Sequence, residues 1–162
     1  MSRSPQVYLK LFITLARPLL EYASPVWNPQ QVKLRKRLEA VQRRVTRRIP
    51  SIRFLSYPER LAVLNMDSLE LRRRVADLSL VYKLVRLSSP SNNVIKIFTL
   101  ASSSRTRGHR FKIWMTQSNR NTRKNFFSNR VVEDWNSLSS NIVNLNSLKS
   151  FRAAVRKELA NR

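Results

Sequence analysis

From Val32 to Ile49 the chain reads VKLRKRLEAVQRRVTRRI, and this stretch limits what the rest can fold into. Leu34, Leu38, Val41, Val45 and Ile49 recur at helical spacing and form one narrow apolar stripe on a wheel of about 100° per residue. Lys36, Arg43 and Arg47 fall nearly opposite that stripe. Lys33 and Arg44 widen the cationic face, and Arg37 and Arg48 border its apolar edge. Glu39, Gln42 and Thr46 fill the remaining sector. One acid among eight bases is too few to neutralise them by pairs one turn apart. A helix of mixed Lys and Glu would read as a solvated face. Here nearly all the charge has one sign, and the expected partner is a polyanion, nucleic acid above all.

The excess is not confined to this helix. The 162 residues carry 32 Lys and Arg against 9 Asp and Glu, a formal net charge of +23, and bases outnumber acids in both halves of the chain. No separate basic tail accounts for it, so the charge belongs on the folded surface, where a bound polyanion relieves self-repulsion. The length suffices for one domain or two small lobes with a real core. Several chemistries are excluded. With no Cys there are no disulfides, thiol nucleophiles or zinc knuckles. The single His109 cannot build a metal site, and the single Gly108 cannot build a Gly-rich phosphate loop. Carboxylates are adjacent only at Glu133-Asp134, and no convergent set suits two-metal nucleotidyl transfer. The expectation is a chain that is not an enzyme by itself, with no metal, no cofactor and no small-molecule substrate.

Taken in order, Val7–Tyr22 is strongly apolar but interrupted by Lys10, Arg17 and Pro18, too short and too charged for a membrane span. It reads as a buried helix bent or ended near Pro18. ASPVWNP (Ala23–Pro29) reads as a turn whose Trp27 pins the loop to the core. Pro50 stops the basic helix. Ser56 ahead of Tyr57-Pro58-Glu59 opens the next one, and Ser68 caps Leu69–Leu87. That last helix is cationic at Arg72, Arg73 and Arg74 and then apolar almost all round. This predicts a central post for the first lobe, with the Val7–Tyr22 segment and the Leu34 stripe packed on it. Ser88–Asn93 reads as a linker. Val94–Leu100 and Phe111–Met115 read as short strands of a hairpin or loose ribbon around a loop bearing Arg105, Arg107, His109 and Arg110. Thr122–Leu138 places Phe127, Val131, Trp135 and Leu138 on one helical face, beside Arg123, Lys124 and Arg130. Ser147 caps a last helix whose Leu148, Phe151, Val155 and Leu159 share a face.

ARPLLEYASPVWNP, LEAVQRRVTRRIP, SYPERL, LELRRR and DLSLVYKL follow one another in an order that resembles the region after the palm in reverse transcriptases of non-LTR retrotransposons, jockey-like and related LINE lineages above all. RTRGH, RKNFFSNRVVEDWNSL and the SLKSFRAAV helix continue the resemblance over nearly the whole chain. Its most specific parts are Arg17-Pro18 with Glu21–Trp27, Gln42-Arg43-Arg44, Phe126-Phe127-Ser128 and Arg130-Val131-Val132 with Trp135-Asn136. The resemblance implies a helical thumb and a C-terminal connector of an RNA-directed DNA polymerase. The fingers and the palm, with its metal-binding Tyr-x-Asp-Asp motif, would lie upstream. The sequence holds no such motif and no endonuclease, as expected of a truncated or degenerate remnant, or of a fragment.

The reading is therefore a mainly α protein: a thumb-like helical bundle over 1–87, a linker and basic loop with short strands over 88–122, and a smaller helical lobe over 123–162. The expected partners are an RNA–DNA hybrid or other nucleic acid and the upstream polymerase domain, with no membrane, in an intracellular, nuclear or cytoplasmic ribonucleoprotein. Phosphate contacts fall to Lys33, Lys36, Arg43, Arg44 and Arg47. Arg72, Arg73 and Arg74 are secondary, and Arg105, Arg107, Arg123 and Lys124 belong to the later basic segments. Rival readings are a ribosomal or mitochondrial-ribosomal RNA-structural protein, a helical protein–protein adaptor, and a non-functional decayed reading frame. A single glycine and a preference for Arg over Lys count against the ribosomal one.

Overall fold

The computed structural model describes residues 5–87, 97–101 and 108–161, and it is mainly helical. The chain divides into two compact units, Met1–Arg73 and Arg74–Arg162. The linker expected at Ser88–Asn93 lies outside the described residues, as do positions 94–96 of the first expected strand. The division falls instead inside one helix, Leu69–Tyr82. Its apolar half, expected as the post of the first lobe, therefore belongs to the second unit. The reason is packing: Leu78, Val81 and Tyr82 are buried, and the Tyr82 ring stacks on Phe151 at 4.3 Å.

The first unit begins with α1 (Pro5–Leu11), a π-helical turn (Phe12–Ala16), α2 (Arg17–Glu21) and α3 (Ser24–Trp27). The widened turn lies just before Pro18, where the ring would otherwise meet the carbonyl four residues back. The helix is re-registered there, not broken. Burial of this segment is not what the sequence predicts: Phe12 is buried, while Leu15 is 63% and Leu19 78% exposed. The turn expected at Ala23–Pro29 contains the short helix α3, and Trp27, expected to pin it to the core, is 39% exposed and donates locally to the Tyr22 carbonyl at 2.6 Å. Next come α4 (Val32–Arg47), a 3-10 turn at Pro50–Ile52, α5 (Tyr57–Val63) and α6 (Leu69–Tyr82). The Ser56–Glu59 capping box is formed, and Ser68 Oγ accepts from the Leu71 amide at 3.1 Å.

In the second unit α6 runs into a π-helical turn, Lys83–Leu87. One antiparallel bridge joins Leu100 to Ile113, flanked by the Ala101 amide to the Lys112 carbonyl and the Trp114 amide to the Thr99 carbonyl, both at 2.8 Å. The helix expected over Thr122–Leu138 is two helices, α7 (Asn121–Lys124) and α8 (Phe127–Asn136). Phe126 between them is extended, which leaves its ring outside while Phe127 enters the core. Short α9 (Ser140–Val143) leads to α10 (Leu148–Ala160), whose Ser147 cap accepts from the Ser150 amide at 3.0 Å. Val131, Val132, Trp135, Leu138, Val143, Phe151 and Val155 make a dense apolar core. No helix among the described residues is long and apolar enough to cross a membrane.

Candidate nucleic-acid interface

Helix α4 does not turn its apolar stripe inward. Its buried side chains are Glu39, Gln42 and Thr46, whereas Leu34 is 39% and Val41 37% exposed, and Leu38 and Val45 are half-buried. Only Ile49, just past the helix, is buried as the stripe predicts. The physical reason lies in partners from later in the chain. Glu39 accepts from the backbone amides of Leu69 and Glu70 at 3.1 and 3.2 Å, so its carboxylate caps the start of α6, where the helix dipole favours negative charge. Its remaining donor is the Tyr57 hydroxyl. Burial, and then the Glu39 carboxylate, push the Tyr57 phenol far above its ordinary pKa, so it stays protonated and keeps donating. Gln42 donates to the Asp67 carbonyl at 2.9 Å and to Tyr57 at 3.1 Å. The buried Arg60 donates to Thr46 Oγ1 at 3.2 Å and to the Leu55 carbonyl at 2.7 Å. Helices α5 and α6, the loop at Asp67 and, through Arg60, the turn at Leu55 are thus tied to one polar sector of α4.

That orientation decides which cations face outward. On the helical wheel the direction opposite Glu39, Gln42 and Thr46 is centred on Lys33, Arg37, Arg44 and Arg48, with Lys36, Arg43 and Arg47 along one flank. All seven are exposed. None has a carboxylate within ion-pair distance among the described residues. The Arg43 guanidinium rides over the Tyr57 ring, 4.9 Å from its centroid, which holds it beside the helix while its hydrogen-bond donors stay unused. Lys33 to Arg47 spans about 21 Å along the axis at 1.5 Å per residue. Arg44, Arg47 and Arg48 also suit the negative end of the helix dipole. Arg37 and Arg48 were not among the expected contacts. The signal that would have found them is Glu39, Gln42 and Thr46 at helical spacing, read as an inward face.

The acids close to α4 in the fold are bound to other groups. Arg35 pairs with Glu70 at 2.5 Å, and Glu59 closes the capping box. Arg72, Arg73 and Arg74, expected as a secondary grip, are drawn into the fold. Arg72 makes a two-pronged pair with Glu21, which raises the guanidinium's pKa. Arg73 is 1% exposed and donates to Asn28 at 3.1 Å, so no phosphate reaches it. Arg74 is bidentate to Asp134 at 3.1 and 2.8 Å. Arginines that the sequence places in one run therefore have a different fate from those on α4.

In the second unit Arg123 and Lys124 are exposed on α7, with the Arg123 guanidinium 5.7 Å from the Phe126 ring centroid. Arg105 and Arg107 lie outside the described residues. His109 is not a free loop residue. It is 3% exposed, its Nε2 lies 3.0 Å from the Trp135 carbonyl, and burial, then Lys112, hold its pKa below the ordinary value. Asn136 matches both the amide and the carbonyl of Ile113 at 2.9 Å, so this loop is laced to α8. Among the described residues no group of three or more His, Asp and Glu is placed to hold a metal ion. Comparison with protein-family models, curated proteins and solved structures finds no match.

Proposed function

We propose that this chain is the nucleic-acid grip of an RNA-directed DNA polymerase of the non-LTR retrotransposon type, holding the template–primer duplex without adding nucleotides itself. The observation that carries the reading is the outward face of α4: a rod of exposed, unpaired cations, while the acids nearby are spent on other arginines and on caps. A polymerase must accept any template, and phosphate contacts hold a duplex in place without reading its sequence. An RNA–DNA hybrid, with its partly A-like shape and wide shallow minor groove, suits a rigid helix laid along its backbone. Lys33, Lys36, Arg43, Arg44 and Arg47 make those contacts, and Arg37 and Arg48 join them. The corresponding setting is a nuclear or cytoplasmic ribonucleoprotein, with the upstream fingers and palm as the protein partner.

The test is the salt dependence of binding to a hybrid of arbitrary sequence. If about six phosphates are engaged, affinity falls by roughly 10³ or more between 50 and 200 mM salt. Replacing Lys36, Arg43 and Arg47 together with Gln reduces the slope of log affinity against log salt by about two to three, since each phosphate contributes about 0.7 to 0.9. These side chains are exposed, so the melting temperature stays put. An unchanged slope refutes the assignment of this face.

A further inference from the structure

Beyond the C-terminal end of α4 the chain makes three reverse turns in succession: the Ile49 amide to the Thr46 carbonyl at 3.3 Å, Ile52 to Ile49 at 3.2 Å and Leu55 to Ile52 at 3.1 Å. The turns are held from both sides. Ile52 is buried beneath them, and the Ser56 amide donates to Glu59 at 2.7 Å in the capping box. Arg60 donates at once to Thr46 in the last part of the cationic helix and to the Leu55 carbonyl, so a single buried guanidinium clamps the turn to the helix end. On this pinned turn sits Phe54, 82% exposed, the most exposed large hydrophobic among the described residues.

An apolar ring of this size left in water on a fixed backbone is a ready-made contact, and its surroundings say for what. Arg53 lies over the ring, 4.5 Å from the centroid, and makes no hydrogen bond or ion pair among the described residues. Arg47 and Arg48 are a few residues back, exposed and unpaired. The ring therefore has one face against a guanidinium, and the exposed cations around this turn outnumber Glu59 of the capping box, a poor setting for a cationic protein surface. A nucleotide has the matching parts: a flat base for the ring and a phosphate for the guanidinium.

We propose that Phe54 is a stacking post for an unpaired nucleobase at the end of the α4 grip, with Arg53 taking that nucleotide's phosphate. This inference rests on the reading of α4 as a backbone grip. It adds a second kind of recognition, because phosphate contacts along a duplex do not distinguish its interior from its end, whereas a stacking side chain needs a base that is not covered by a neighbour. The substrate class is a duplex that continues into single strand.

The full chain is titrated with an RNA–DNA hybrid carrying a three-nucleotide single-stranded extension and with the same hybrid closed flush. The intact protein favours the extended form. Phe54→Ala weakens binding to it about tenfold, the order expected for losing one stacked base, and leaves the flush hybrid unchanged. Phe54→Trp restores the preference, and Arg53→Gln lowers it. The Phe54→Ala protein keeps its melting temperature because the ring covers nothing. Equal affinity of the intact protein for both hybrids, or equal losses on both with Phe54→Ala, overturns the stacking post. Failure of the grip itself shows separately, as absent or salt-insensitive binding of the flush hybrid, and that result overturns both.

Discussion

In the first unit, α4 turns a glutamate, a glutamine and a threonine inward and joins them to Tyr57 and Arg60. Several large apolar side chains, such as Leu19, Tyr22 and Val26, stay largely exposed. In the second unit the inward side is aromatic and aliphatic, with Trp135, Phe151 and Tyr82 fully buried and tied by ring contacts. Even there one charge pair is interior, Arg130 with Asp77 at 3.0 Å, and it stacks on Phe127. The contrast concerns specificity as well as stability. An apolar core tolerates shuffling of similar volumes, whereas a buried polar network fixes orientation because each donor must meet its acceptor. Here the network sets the rotation of α4 about its own axis, and that rotation decides which arginines reach solvent.

The contrast can be broken at several points, the largest first. Trp135→Ala should cost the second unit about 3–5 kcal/mol in urea unfolding, from lost burial and the cavity left behind. A loss under 1 kcal/mol would mean that the aromatic core is not what holds it. Glu39→Ala should cost about 2–4 kcal/mol, because it strands the α6 amides and the Tyr57 hydroxyl in a buried site. Hydrogen exchange of the Leu69 and Glu70 amides should accelerate with it. If those amides stay protected, the cap is not formed by Glu39.

The two units should also fail at opposite ends of the pH scale. The Tyr57 phenol has a raised pKa, so its contribution is complete below about pH 10, where the unfolded phenol ionises, and is lost as pH climbs beyond that. Amide exchange in α4 and α5 should rise above pH 10, and Tyr57→Phe should flatten that rise. His109 has a lowered pKa, so the second unit is at full strength above about pH 6.5 and weakens as pH falls through that value. His109→Gln should flatten the acid limb of exchange in α8. The smallest effect should come from the apolar stripe: Leu34→Gln, at a half-open position, should change stability by under about 0.5 kcal/mol. A loss of 2 kcal/mol there would return the stripe to the core.

The apolar faces of α8 and α10 in the second unit were legible in advance. Phe127, Val131, Trp135 and Leu138 are buried as a group, as are Phe151, Val155 and Leu159, because apolar side chains at helical spacing carry the same message wherever they pack. The caps at Ser56, Ser68 and Ser147 were legible too, since a cap and its amides lie within one turn of sequence. The inward face of α4 was not. Its apolar residues sit at a spacing that normally marks burial, and nothing local shows that Glu39 will find two free amides thirty residues on.

The residues by themselves determined a mainly helical chain with a large surplus of positive charge, helices that start where serines cap them, and no chemistry of its own from thiols or glycine-rich loops. These follow from composition and from interactions a turn apart. Only the tertiary structure decided which arginines remain available. Arg72, Arg73 and Arg74 are taken up by Glu21, Asn28 and Asp134, while Arg37, Arg44 and Arg48 face water. The reason is that hydrogen bonds and ion pairs bind groups far apart in the chain. Whether a charge is spent or free depends on who arrives beside it, which no local periodicity encodes.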